Sequence, residues 1–163
     1  LGRIGNCFAD MVRPLGCRIL GYDINPDRKG LDFIESVDLD TLLKNSDVIS
    51  IHSNLETSRH LIDLAQIKKM KSTAYLINVS RGGIVQEQDL SEALSSGLLS
   101  GAGIDVTETE PLPPDSPLLQ APNLILTPHM AWYSEQASSD LKTKTAEEAA
   151  RFLSGMPLKN KLN

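Results

Sequence analysis

Cysteine is nearly absent from this sequence. Cys7 and Cys17 are the only two, they show no metal-ligand spacing and they fall in different expected elements, so both read as reduced core thiols and no metal site is expected. No apolar run comes near the ~18 residues that a membrane helix needs, and the first residues lack the basic, apolar and small-residue succession of a signal peptide. No membrane partner is expected, and the cytoplasm is the default location. Positive charge is not clustered either. The 16 Lys and Arg are scattered among 21 Asp and Glu, and a net charge of -5 offers no phosphate-neutralising footprint for nucleic acid. Internal repeats, low-complexity segments and interdomain linkers are missing, and 40% hydrophobic content in 163 residues suits one soluble core. An initiator methionine is also lacking. The chain opens on Leu1, inside a glycine motif, and reads as a piece of a longer protein.

What is present is a repeating alternation. Short runs rich in Ile, Val and Leu recur between helix-like stretches, the pattern of a parallel sheet covered on both faces. Strands are expected over 18–22, 48–52, 74–78, 99–105 and 124–126, and helices over 40–45 and 88–96. In the second helix Leu90, Ala93 and Leu94 share a face, and Gly97 is placed to end it in a left-handed conformation. Residues 134–153 form the longest expected helix, with Ala137, Leu141, Ala146, Ala149, Ala150 and Leu153 at a helical apolar period, and read as a packing helix. Pro111, Pro113, Pro114 and Pro117 make 110–118 a loop without regular structure. The fold class that follows is α/β, a doubly wound, Rossmann-like parallel sheet.

The first chemical signal is Gly2-Arg3-Ile4-Gly5, leading into a helix-like segment, with Asp23 ending the next strand. This pattern resembles the last two glycines of G-x-G-x-x-G. Gly2 would let the backbone approach a pyrophosphate, Gly5 would let helix and strand pack closely, and the helix N-terminus would present amides to the anion. Asp23 would accept both adenosine ribose hydroxyls and repel a 2'-phosphate, which favours NAD over NADP, while Arg28 and Lys29 are nearby cations that would offset that repulsion.

Three further blocks follow expected strands, at the carboxyl edge where open parallel sheets place their ligands. They are Asn78-Val79-Ser80-Arg81-Gly82-Gly83, the stretch Gly103-Ile104-Asp105-Val106-Thr107-Glu108-Thr109-Glu110-Pro111, and Thr127-Pro128-His129. In order and spacing they resemble three signature blocks of the D-isomer-specific 2-hydroxyacid dehydrogenase family, a resemblance covering nearly the whole chain.

The resemblance implies a role for each matching residue. Arg81 would clamp the carboxylate and carbonyl of a 2-keto acid with its planar fork of donors. His129 would be the general acid in reduction and the base in oxidation, with Glu110 holding its imidazole in one tautomer and favouring the protonated form. Asp105 would accept from the nicotinamide carboxamide, and Val79, Ser80 and Arg81 would line the cofactor by their backbone. His52 matches a position flanking the cofactor. His60 is expected to be exposed, and Glu108, the competing carboxylate, is assigned to solvent. The segment Ser53-Asn54-Leu55-Glu56-Thr57-Ser58 departs from the family's Pro-Leu-Thr-rich loop by lacking its proline and one residue.

The resemblance further implies a fragment of a two-domain, homodimeric protein. Residues 1–153 would be the NAD-binding domain, with its first strand and first glycine lying before Leu1, and 154–163 a connector or tail. The expected function is hydride transfer between NAD(H) and a small D-2-hydroxyacid or 2-keto acid. The 163-residue piece alone is expected to be inactive, because the opposing domain that excludes water is absent. Trp132-Tyr133-Ser134-Glu135-Gln136-Ala137 is similar to a subgroup that includes the C-terminal-binding-protein corepressors. Trp132 would either wall the nicotinamide and substrate or anchor the long helix. The alternative function is accordingly an NAD(H)-sensing, corepressor-like binding protein.

Overall fold

The computed structural model describes residues 1–28 and 30–161, which fall into two compact units, Leu1–His129 and the residues from Met130 onward. In the first unit, helix α1 (Arg3–Val12) precedes strands β1 (Leu20–Gly21) and β2 (Glu35–Ser36), which pair in parallel. Helix α2 (Leu39–Asn45) leads to β3 (Val48–Ile51), and the short helices α3 (Leu55–Ser58) and α4 (Leu64–Ile67) lead to β4 (Tyr75–Asn78). Helix α5 (Glu87–Ser95), β5 (Gly101–Ile104), a 3-10 turn at Pro117–Gln120 and β6 (Leu124–Leu126) complete the unit. The second unit is built on α6 (Glu135–Leu153). Strands β3, β4, β5 and β6 stand in that order, all parallel.

The strand expectations hold for β3 through β6, with ends trimmed by a few residues. Parallel register aligns Ile49, Leu76, Ala102 and Leu124 in one row and Ile51, Asn78, Ile104 and Leu126 in the next. Because side chains alternate faces along a strand, these two rows share one face. Against it pack Leu43 of α2, Ile67 of α4, Leu90, Ala93 and Leu94 of α5, and Leu118. Each fully buried aliphatic side chain contributes about 1.5–3 kcal/mol of transfer free energy. As expected, α5 buries Leu90, Ala93 and Leu94, and Gly97 ends it at φ +70°. On the opposite face Val48, Tyr75 and Ile125 stand exposed.

Several local readings are corrected. Cys7 and Cys17 are exposed and not core thiols, because α1 buries only Ala9 and Cys17 follows the left-handed Gly16 out of a turn. Helix α6 spans the expected residues, and Leu141 and Leu153 of its apolar stripe are exposed. The proline-rich stretch is not wholly irregular. Pro117 starts a 3-10 turn whose N-cap Ser116 accepts from the Leu118 amide, a position that proline tolerates because its missing N–H is not needed there. Strand β2 went unread because Glu35-Ser36 has no apolar run. It forms by pairing with Leu20 and Gly21, braced by an ion pair of 2.6 Å between Arg18 Nη2 and Glu35 Oε2. The expected tail folds back on α6, where Arg151 Nε donates to the Pro157 carbonyl (2.7 Å) and the Lys159 amide to Glu148 Oε1 (3.1 Å). Its last residues, Leu162 and Asn163, lie outside the described residues, as does Lys29.

The loops after β4 and β5 meet backbone to backbone. A Cβ added to Gly82 would stand 1.8 Å from the Thr107 carbonyl oxygen and 2.7 Å from the Glu108 nitrogen. Neither atom belongs to a side chain that could turn away. Gly82→Ala in the intact protein should therefore lower the unfolding free energy by about 1–3 kcal/mol, read as a reduced urea midpoint at unchanged slope. A midpoint equal to wild type would show that the two loops part freely.

Candidate functional site

Because β3, β4 and β5 run parallel and in register, the residues that follow them, His52, Val79 and Asp105, emerge at one edge of the sheet, with Thr127 after β6 beside them. Ligands of open parallel sheets gather at this edge. The site residues expected from the sequence fall into two groups along it.

The first group lines a cavity of about 1040 Å³, shared by Gly2, Gly5, Asp23 and His52. Gly2 is the N-cap of α1, in extended backbone with no side-chain cap, and the first turn carries no acid. The amides there keep their preference for an anion. A Cβ on Gly2 would meet nothing within 4 Å, whereas one on Gly5 would reach ordinary contact with His52 Cβ at 3.5 Å. So Gly2 leaves open space before the helix, and Gly5 sits where α1 approaches the end of β3. Arg3 and Ile4, in the same first turn, are exposed and not part of the cavity lining.

Asp23 follows β1 and is largely buried. Its Oδ2 lies 2.6 Å from the Leu1 amino nitrogen and 3.7 Å from Arg28 Nη1, and its Oδ1 accepts from the Asn25 amide at 2.9 Å. Burial works to raise this carboxyl, while the Asn25 amide and the Arg28 guanidinium work to lower it. An ionised acceptor beside an uncapped helix N-terminus and an open Gly2 fits a dinucleotide's ribose and pyrophosphate. His52 is half-buried, its Nε2 2.9 Å from Ser50 Oγ and its ring 5.1 Å from that of Phe8. Burial pushes its imidazole down, which keeps the ring neutral around pH 7.

The second group lies on β4, β5 and β6. Ser80 Oγ donates to the Ile51 carbonyl (2.8 Å), tying the loop after β4 to the end of β3. Val79 and Arg81 are exposed, and the Arg81 guanidinium folds back through Nη1 onto the Ser80 carbonyl at 2.7 Å. Asp105 is buried, and its Oδ1 accepts from Thr127 Oγ1 at 2.5 Å. The His129 amide donates to the Asp105 carbonyl (2.8 Å) and the Thr127 carbonyl (3.0 Å). These bonds hold His129 at φ +52°, a left-handed backbone unusual for a residue with a Cβ.

Glu110 and His129 are brought together as expected. Nδ1 of His129 lies 2.7 Å from Glu110 Oε2, and Glu110 Oε1 accepts from the Thr107 amide at 3.1 Å. The hydrogen bond with His129 is the largest influence on Glu110. Burial opposes it weakly, the Thr107 amide supports it, and the carboxyl is held below its usual range. An ionised carboxylate can only accept, so Nδ1 carries the proton, and exchange with any ligand falls to Nε2.

Glu108 does not compete for His129, yet it is not simply solvated. Its Oε1 lies 3.4 Å from His60 Nε2, and its amide donates to Glu87 Oε1. His60 is exposed, as expected. The shortened segment is not a plain loop, since Asn54 caps α3 through the Thr57 amide. In the second unit Trp132 packs edge-on against Tyr133, with ring centroids 5.6 Å apart. Asn78 and Thr127 open two of the quoted blocks but were given no role from the sequence, and Glu87 was not singled out at all.

Comparison with known proteins fits this arrangement. Residues 1–131 match the family model of the D-isomer specific 2-hydroxyacid dehydrogenase NAD binding domain. The chain is 41% identical over 161 residues to a glyoxylate reductase of Korarchaeum cryptofilum, covering 95% of this chain and 48% of that protein. Its fold superposes with a TM-score of 0.89 on a D-lactate dehydrogenase with NAD+ from Lactobacillus jensenii, at 27% identity, covering 100% of this chain and 53% of that one. It also superposes with a TM-score of 0.81 on an NADPH-dependent glyoxylate/hydroxypyruvate reductase from Sinorhizobium meliloti in complex with NADP, at 30% identity, covering 98% and 52%. The chain thus spans about half the length of these relatives. With the three signature blocks gathered on one sheet edge and the family model matched from Leu1 to Ala131, this chain belongs to the D-isomer specific 2-hydroxyacid dehydrogenase family, through its NAD binding domain.

Proposed function

We propose that the chain supplies the cofactor site and the acid–base pair of an oxidoreductase that interconverts a small D-2-hydroxyacid and its 2-keto acid. The observation that carries this reading is the 2.7 Å pairing of His129 with Glu110 at the sheet edge. Gly2, the first-turn backbone of α1 at Arg3 and Ile4, Gly5 and Asp23 would hold the dinucleotide's phosphates and ribose. His52, Val79, Ser80, Arg81, Asp105 and His129 would flank its nicotinamide half. When bound, NAD(H) supplies or accepts the hydride at the substrate's C2. Arg81 orients the substrate through its carboxylate, with bidentate geometry that lysine cannot reproduce. In reduction His129 gives its Nε2 proton to the carbonyl oxygen, and in oxidation the neutral ring takes the hydroxyl proton. Glu110 keeps Nδ1 protonated and offsets the imidazolium charge.

NAD is the preferred cofactor in this proposal, because the Asp23 carboxylate repels a 2'-phosphate, although Arg28 at 3.7 Å moderates that repulsion. A further parallel strand between β1 and β3 belongs to the proposal too, filling the part of the cavity of about 1040 Å³ lined by Ile19, Leu43 and Ile49 and leaving the part at Gly2, Asp23 and His52 to the dinucleotide. Homodimer assembly enters on family resemblance, and a cytoplasmic location as the default stated for the sequence. The relatives reported above are named as reductases or dehydrogenases, which favours the enzyme over the corepressor-like reading suggested by 132–137.

Two measurements on the intact protein test this reading. Asp23→Ala should weaken NAD binding roughly tenfold or more, the loss of a charge-assisted hydrogen bond, and narrow the preference over NADP. Unchanged kinetics with both cofactors would remove Asp23 from the ribose. The second concerns pH. The lowered Glu110 carboxyl stays ionised down to acid pH, and the pair is lost only as pH falls through that lowered value. Near neutrality Glu110→Gln therefore removes a negative charge that favours the imidazolium. The basic limb of the keto-acid reduction profile, measured at saturating NADH, should move to lower pH, with oxidation less affected. A limb that stays in place would mean that Glu110 only braces its loop.

A further inference from the structure

Asn78 occupies an unusual place in the sheet. Its row on the covered face reads Ile51, Asn78, Ile104, Leu126, and the asparagine is only 1% exposed among these aliphatic neighbours. A buried carboxamide is unfavourable unless its polar atoms are bonded. Here every bond goes to the two residues that lead out of the strand. Nδ2 donates to the Arg81 carbonyl (2.9 Å), while Oδ1 accepts from the Ser80 amide (3.1 Å) and lies 3.2 Å from Ser80 Oγ. The hydroxyl in turn donates to the Ile51 carbonyl. The main-chain course of 80–81 is thereby dictated by a side chain that the core holds in one rotamer. Aspartate, when ionised, would offer no donor to the Arg81 carbonyl, and leucine would satisfy neither residue.

We propose that Asn78 is the positioning residue for Arg81: its buried carboxamide fixes the backbone from which the guanidinium projects, and so aims that group at the substrate carboxylate. This rests on the keto-acid role proposed for Arg81. Asn78 itself touches neither substrate nor cofactor. Its influence on the substrate passes through the Ser80–Arg81 backbone that it holds, and that is what distinguishes it from a residue that serves folding alone.

The test is a double-mutant cycle in the intact protein, with Asn78→Asp and Arg81→Lys made singly and together. Keto-acid kcat/KM, NADH Kd by fluorescence and the urea midpoint are measured for each. Asn78→Asp should cut kcat/KM by about tenfold or more, while NADH Kd changes by no more than about threefold. In the Arg81→Lys background the same change should cost less than about twofold, because the group it positions is already impaired. Full additivity of the two losses would overturn the assignment, as would a lowered urea midpoint with unaltered kcat/KM. Asn78→Ser, which puts no carboxylate into the core, should show the same non-additivity and is used if Asn78→Asp does not fold. An Arg81→Lys protein with undiminished keto-acid turnover would overturn the underlying reading, and the positioning role with it, a result distinct from additivity.

Discussion

Parallel register is the constraint on which the site depends. Ile51, Asn78, Ile104 and Leu126 sit level across β3, β4, β5 and β6, so the segments that follow emerge side by side, although long stretches of chain separate them. In a parallel sheet every strand reaches the same edge in the same sense, and each must then shed its ladder partners there. The polar groups left at that edge need new bonds or water. In this chain they find bonds: the Asn78 carboxamide serves the loop after β4, and Thr127 serves Asp105 after β5.

These edge bonds also explain why the loops hold a definite course. Gly82 lets the loop after β4 lie directly on the Thr107 carbonyl, and Glu110 reaches back to the Thr107 amide while meeting His129. His129 is held from two sides, by its own amide on Asp105 and Thr127 and by its ring on Glu110. Its left-handed backbone is a local cost of a kind that persists only where the surroundings determine it fully. The chain's histidines are treated differently as a result. His52 is partly buried against a serine hydroxyl, with its imidazole pushed down, whereas His129 faces an ionised carboxylate. One suits a neutral wall and the other a group that gives and takes a proton.

Charge is arranged with similar economy around the cavity on the other side of β3. Uncapped amides of α1, an open Gly2 and the ionised Asp23 meet there without any acid in the helix's first turn. An anion and a hydroxyl-bearing group can be accommodated together, one by the helix dipole and the other by the carboxylate. Arg28 Nη1 stands 3.7 Å from the Asp23 carboxylate, so the space beside them feels both charges.

Much of this was legible in the sequence. Strand positions β3 through β6, the buried stripe of α5, the left-handed Gly97 and the pairing of Glu110 with His129 all follow from short-range pattern or from motif spacing, since apolar period and turn chemistry are properties of adjacent residues. Other features depended on what lies across from a residue. The apolar period of α6 specified a helix but not a partner, and its leucines are exposed. Cys7 and Cys17, apolar enough for a core, are exposed because α1 buries only Ala9 and the turn after it carries Cys17 outward. Strand β2 exists only because Leu20 and Gly21 offer it a ladder. Thr127 reaches the Asp105 carboxylate only because parallel register sets β6 beside β5, whereas Asn78 bonds the Arg81 carbonyl three residues on and owes to register its burial between Ile51 and Ile104. Local sequence determined which elements form and which polar side chains end the strands. Tertiary structure decided which buried polar atoms find partners across strands, because such a hydrogen bond depends on a neighbour far along the chain, as Thr127 is from Asp105.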